Sequence, residues 1–224
     1  MFQPEPLHAW DLTPREAIAV QRELAPRVVV CRPRGEFRLV AGVDAAFSAD
    51  GKRCVAGVVL WDVRARREIE SHTATRPLVF PYIPGLLSFR EAPAIMAALG
   101  RLRREPDVIM CDGQGLAHPR RLGIACHVGL LADLPSVGCA KSRLVGVHRT
   151  PGPRRGSTVR LADGEEIVGC VLRTRDNVKP LYVSVGHRLD LEAARGLVLR
   201  CGGGFRLPEP TRRADRLVNA ASKS

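Results

Sequence analysis

Three acidic residues stand where carboxylates are costly. Asp44 interrupts the apolar run Leu39-Val40-Ala41-Gly42-Val43-Asp44-Ala45-Ala46-Phe47. Asp112 ends Val108-Ile109-Met110-Cys111-Asp112 and is followed by Gly113-Gln114-Gly115. Glu91 precedes Pro93 at the start of a helical pattern, which places it in a first turn. An ionised carboxylate in apolar surroundings must be paired, bound to a cation or shifted towards its neutral form. If the two strands are neighbours in a sheet, Asp44 and Asp112 meet, and three mutually repelling carboxylates invite a divalent cation. Oxygen-only ligation suits Mg2+, with Mn2+ as a substitute. Such a centre polarises a phosphodiester, activates a water and stabilises the leaving oxygen. Each acid also has a structural alternative. Asp44 could pair with an arginine, Asp112 could accept from the amides of Gly113 and Gly115, and Glu91 could close a capping box with Ser88.

Other residues add to this chemistry. Pro81-Tyr82-Ile83-Pro84 sets an aromatic and a β-branched side chain on a stiff turn. Exposed, it is a wedge for a base stack; otherwise Tyr82 covers the core. Lys141 follows an apolar strand and either contacts a phosphate or is solvated. Gly113-Gln114-Gly115 has neither the Walker spacing nor Gly-x-Gly-x-x-Gly, and no Gly-x-Ser-x-Gly elbow is present.

The elements that must position these residues follow from periodicity. Thr13 caps a helix over 14–24 with Pro14 in its first turn. Three closely spaced extended segments, 37–47, 54–63 and 68–75, predict an antiparallel meander. Ile95, Ala98, Leu99 and Leu102 share one face of a helix that ends before Pro106. The segment 107–112 is almost wholly apolar, as in a central strand covered on both faces. A helix over 122–133, a strand at 136–140, a hairpin of 158–161 and 167–172, a strand at 181–185, and helices over 191–201 and 211–222 complete the reading. The breaker-rich stretch 150–156 divides the front of the chain from that hairpin. The expected fold is an α/β mixed sheet, an antiparallel meander followed by parallel strands, flanked by helices in one domain spanning 1–224.

Composition narrows the setting. The 224 residues carry 35 Lys and Arg against 23 Asp and Glu, a net charge of +12. Residues 141–224 hold 17 basic and 8 acidic residues, +9 of that excess, which suits a polyanionic partner such as nucleic acid. Only four of the 35 are lysine, so an arginine-rich composition is the competing explanation. Seven cysteines without a Cys-x-x-Cys pair, several ending apolar runs, read as buried free thiols in a reducing cell. No apolar run approaches a membrane span, and Met1–Glu5 has neither the basic start nor the apolar stretch of a secretory signal. A cytoplasmic, membrane-free protein acting as a monomer is expected.

Several segments together resemble the endonuclease V family. They are Val40–Asp44, Pro81–Glu91, Cys111–Gly115, His118-Pro119-Arg120, Ala140–Leu144, Val183–His187 and Arg206–Arg212, in order along residues 12–216. The resemblance implies a ribonuclease H-like fold and a Mg2+-dependent endonuclease acting on deoxyinosine in DNA. It implies cleavage one bond beyond the lesion on its 3′ side, leaving 3′-hydroxyl and 5′-phosphate ends. Carried over by motif, Asp44, Glu91 and Asp112 are the metal ligands, Asp215 completes the site, and Lys141 contacts phosphate. Tyr82 heads the wedge formed by Pro81, Tyr82, Ile83 and Pro84. The hypoxanthine pocket draws on Gly113, Gln114, His118, Ala140 and Ser184. The alternatives are the same chemistry on inosine in RNA, or a non-catalytic binder of flipped or single-stranded nucleic acid.

Overall fold

The structure, a computed structural model, describes residues 7–222; the segment Met1–Glu5 read for a leader lies outside them. Helix α1 (Pro14–Leu24) starts as expected: Thr13 accepts from the Glu16 amide, and Glu16 accepts in return from the Thr13 amide at 2.7 Å. The meander is β1 (Leu39–Phe47), β2 (Arg53–Asp62) and β3 (Arg67–Pro77), each antiparallel to the next. Then come α2 (Leu87–Leu99), β4 (Val108–Cys111), α3 (Ile124–Ala132) and β5 (Ser136–Ala140). The strands β1, β4 and β5 run parallel, joined through α2 and α3. The chain closes with β6 (Thr158–Asp163), β7 (Glu166–Leu172), β8 (Leu181–His187), α4 (Leu191–Arg200) and α5 (Glu209–Ala221).

All eight strands form one sheet in the order β3-β2-β1-β4-β5-β8-β7-β6. The 150–156 stretch therefore divides nothing, because β8 bonds antiparallel to β5 and carries the hairpin with it. Strand alternation splits the core into two layers. Ala41, Val43, Ile109 and Cys111 pack with Ile95, Leu99 and Val128 of α2 and α3. Val40, Met110, Cys139 and Val183 face the other way, with Ala194 and Leu197 of α4. Helix α5 lies against β1 and β2. Among the described residues no helix is long and apolar enough to cross a membrane.

Two expectations need correction. Helix α2 begins at Leu87 with Leu86 as its cap, so Glu91 and Pro93 lie inside it rather than in its first turn. The Ser88–Glu91 capping box does not form; Ser88 Oγ lies 3.0 Å from His127 Nδ1 instead. Six cysteines are buried free thiols, but Cys31 is exposed. The apolar run Val28–Val30 that precedes it forms no strand, and Val29 and Val30 are themselves exposed.

Candidate active site

The parallel register pairs Val43 with Cys111, which sets Asp44 beside Asp112 at the carboxyl ends of neighbouring strands. The Asp112 amide donates to the Val43 carbonyl at 3.3 Å. Both side chains alternate onto the face that carries α5, and α5 supplies Asp215. One carboxylate oxygen from each of Asp44, Asp112 and Asp215 lies within 4.8 Å of the others. The close approach of α5 requires bare backbone on β1. A Cβ on Gly42 would stand 2.2 Å from the carbonyl carbon of Pro210.

Electrostatics here is strained in the way a cation relieves. Burial, then the neighbouring Asp112, pushes Asp44 up to about 7. Burial also raises Asp112, against the pull of Lys141. Lys141 lies between the acids, its Nζ 2.6 Å from Asp112 and 3.3 Å from Asp215. Burial lowers its pKa, and the two carboxylates more than reverse that. Lys141 is thus ion-paired although its side chain stays half-exposed, and Asp44 has no arginine partner among the described residues. Glu91 is not one of the three clustered acids. It sits in α2, pushed up to about 8 by burial and by the charges of Asp44 and Asp112. An all-oxygen donor set of this spacing fits a hard divalent cation.

The loop after Asp112 threads through space that only glycine leaves. A Cβ on Gly115 would lie 2.0 Å from the Val185 carbonyl oxygen, and one on Gly113 would lie 2.4 Å from Ile124. The Gly115 amide donates to buried Ser184 at 2.7 Å, so it is not available to Asp112. Ser184 and Ala140 are buried behind this loop. Gln114 donates to the Ser142 carbonyl at 2.9 Å, while its buried Oε1 has no partner.

His118 is not an open pocket residue. Burial pulls it down to about 4, so the ring is neutral, and its Nε2 lies 3.0 Å from the Gly85 carbonyl. Arg120 donates to the same carbonyl at 2.8 Å. Gly85 has φ +79°, a left-handed turn that the two side chains fix. They thereby brace the Pro81–Pro84 turn. Pro81 and Pro84 are exposed, Ile83 packs against Phe80 and Phe89, and Tyr82 is 70% exposed, so Tyr82 does not cover the core.

Sequence reasoning gave no role to two residues that the geometry picks out. Arg90 donates to the Phe80 carbonyl at 2.7 Å and lies 4.7 Å over the Phe47 ring and 5.9 Å from that of Tyr82. Arg206 donates to the Lys141 carbonyl at 2.6 Å. Arginines are frequent in this chain, and only the neighbours of Arg90, Glu91 above all, could have marked it.

The family described as Endonuclease V matches residues 22–216. An Endonuclease V of Roseiflexus castenholzii is 49% identical, covering 97% of both chains. The crystal structure of the Endonuclease V from Streptomyces avermitilis superposes with a TM-score of 0.91 at 44% identity, over 95% of this chain and 94% of that one. Ciona intestinalis Endonuclease V, solved with a 24mer DNA containing an inosine followed by a ribo-adenosine, gives 0.82 at 25% identity, over 92% and 96%.

Proposed function

Because the chain belongs to the endonuclease V family of nucleases, we propose that it is a repair endonuclease that cuts DNA at deoxyinosine. Cleavage falls one bond beyond the lesion on its 3′ side, leaving 3′-hydroxyl and 5′-phosphate ends, with Mg2+ or Mn2+ as cofactor. The observation that carries this is the cluster of Asp44, Asp112 and Asp215 with Lys141 among them. Asp44, Asp112 and Asp215 would hold the cation, with Glu91 of α2 as a further carboxylate ligand that ionises when the cation compensates it. The cation supplies Lewis-acid polarisation of the phosphodiester and a nucleophilic water at neutral pH. Lys141, once a cation compensates the acids, turns its ammonium to the phosphate.

Recognition precedes cutting. In a duplex, hypoxanthine presents guanine's major-groove face, so it must be lifted out to be identified. Tyr82 fills the vacated stack, held by the turn that His118 and Arg120 brace. The Gly113–Gly115 backbone takes the extruded base, with the unpartnered Gln114 oxygen as an acceptor, and excludes guanine's two-amino group. The whole chain acts as one catalytic domain, as a cytoplasmic monomer. A second reading, cleavage of inosine in RNA, is favoured by the ribo-adenosine after inosine in the strand bound by the Ciona relative.

Matched inosine-containing DNA and RNA strands, incubated with Mg2+ and with chelator, test both. Metal-dependent nicking of the DNA strand is expected, and Asp112→Ala should lower it roughly a thousandfold or more, because several kcal/mol of charge stabilisation goes with the ligand. Cutting that survives chelation, or an Asp112→Ala protein that cuts normally, overturns the metal assignment. Cutting of RNA alone selects the second reading.

A further inference from the structure

We propose that the open groove between α4 and the β6 edge is a second nucleic-acid contact, holding a flank of the substrate strand several nucleotides from the scissile bond. The inference rests on the nuclease reading and adds a surface that catalysis itself does not need. The groove measures about 1230 Å³. It is lined by Val147, Val159 and Leu191 together with Arg149, Arg160 and Arg195. None of these three guanidiniums makes an ion pair or a side-chain hydrogen bond within the described protein, whereas Arg121, Arg188, Arg212 and Arg213 are all ion-paired. One acid, Glu192, also faces the groove. Three unpaired like charges around one concavity repel each other, and a polyanion that releases its counterions there relieves the repulsion. A groove lined by both apolar and basic side chains suits a single strand, whose bases and phosphates need one of each.

The position relative to the catalytic centre is as informative as the charge. Lys141 sits among the carboxylates, and the run that begins with it passes exposed Arg143 and reaches Val147, His148 and Arg149 in the groove wall. The groove also opens on the face that holds the acids, since Cys170 in its lining packs in the same layer as Cys139 and Met110. From β4 to β6 is four strand steps, or about 19 Å at about 4.8 Å each. That spans roughly five or six stacked nucleotides.

The test compares the combined variant Arg149→Gln, Arg160→Gln, Arg195→Gln with a control of equal charge loss elsewhere, Arg15→Gln, Arg103→Gln, Arg104→Gln. Affinity is measured against salt for an inosine strand of about 25 nucleotides and for one trimmed to about three nucleotides on each side. For the long strand the groove variant should bind at least about tenfold more weakly at low salt, with a log–log salt slope shallower by about 2. For the trimmed strand it should match the wild type, and cleavage at saturating substrate should be unchanged. Unaltered long-strand affinity, equal loss on both strands, or equal loss in the control variant overturns the groove assignment. A wild type that cuts no inosine strand would instead sink the nuclease reading, so the two failures are distinguishable.

Discussion

Lys141 holds ground that a divalent ion must contest. Its ammonium touches Asp112 and Asp215, and a cation held by the same oxygens would repel it. Lys141→Met should therefore tighten Mg2+ or Mn2+ binding by a factor of about three to ten, the worth of a half-exposed ion pair. The same variant should be less stable in chelator, by about 1–2 kcal/mol, because it leaves the acids uncompensated. Calorimetric titration with Mn2+ and chelated melts read both effects. Weaker or unchanged metal binding would show that lysine and metal do not compete. At this scale the sequence was uneven. Asp44 and Asp112 announced themselves because a charge inside an apolar strand violates the local pattern. Asp215 violates nothing, sitting on a polar helix like any surface acid, and only the resemblance marked it. Glu91 was placed near the site but in the wrong part of its helix. The signal for a helix start is a Ser, Thr, Asp or Asn cap, and here Leu86 follows the left-handed Gly85 instead.

Elements, rather than single residues, make the turn proposed as a wedge. The Pro81–Pro84 turn projects Tyr82 into solvent, while Gly85 behind it is tied to His118 and Arg120, and Gln21 of α1 reaches the same carbonyl at 2.9 Å. Arg90 secures the other side through the Phe80 carbonyl. A turn fixed on both flanks can push into a stack without recoiling. Tyr82→Ala should reduce nicking of inosine in a duplex by tenfold or more, given the few kcal/mol of unstacking that the ring offsets, and should affect a flexible single strand much less. Single-turnover rates on the two substrates decide it. Equal losses would assign Tyr82 to the fold or to catalytic geometry. The turn itself was legible from its prolines. The clamp was not, because Gln21 and Gly85 are 64 residues apart and local periodicity carries no distance information. The same blindness made 150–156 look like a divider, although strand pairing crosses it.

For the molecule as a whole, two sets of buried titratable groups have opposing effects on stability. Burial holds Asp44 at about 7 and Glu91 at about 8, so between pH 4 and 8 the native state keeps protons that the unfolded chain releases. Their contribution therefore falls as pH rises. Burial and the neighbouring His8 pull His127 down to about 3, and burial takes His118 to about 4. Below about pH 6.5 the unfolded chain protonates histidines that the native state keeps neutral. Each then costs up to about 1.4 kcal/mol per pH unit as pH falls, until its native pKa is reached. In chelator the two sets therefore pull stability in opposite directions from about pH 6 to 4.5. His127 is the group to remove, since it lies among Trp10, Phe89 and His8 and is not perturbed by the clustered acids. In His127→Gln the histidine penalty disappears, and stability should rise relative to wild type by about 1.4 kcal/mol for each unit from pH 6 down to 4. Any fixed packing cost of the substitution shifts the whole curve and leaves that slope intact. Urea midpoints at several pH values across this range measure it. A difference between the two proteins that stays constant with pH would mean that His127 is not held neutral in the native state, and the opposition of the two sets would have to be abandoned.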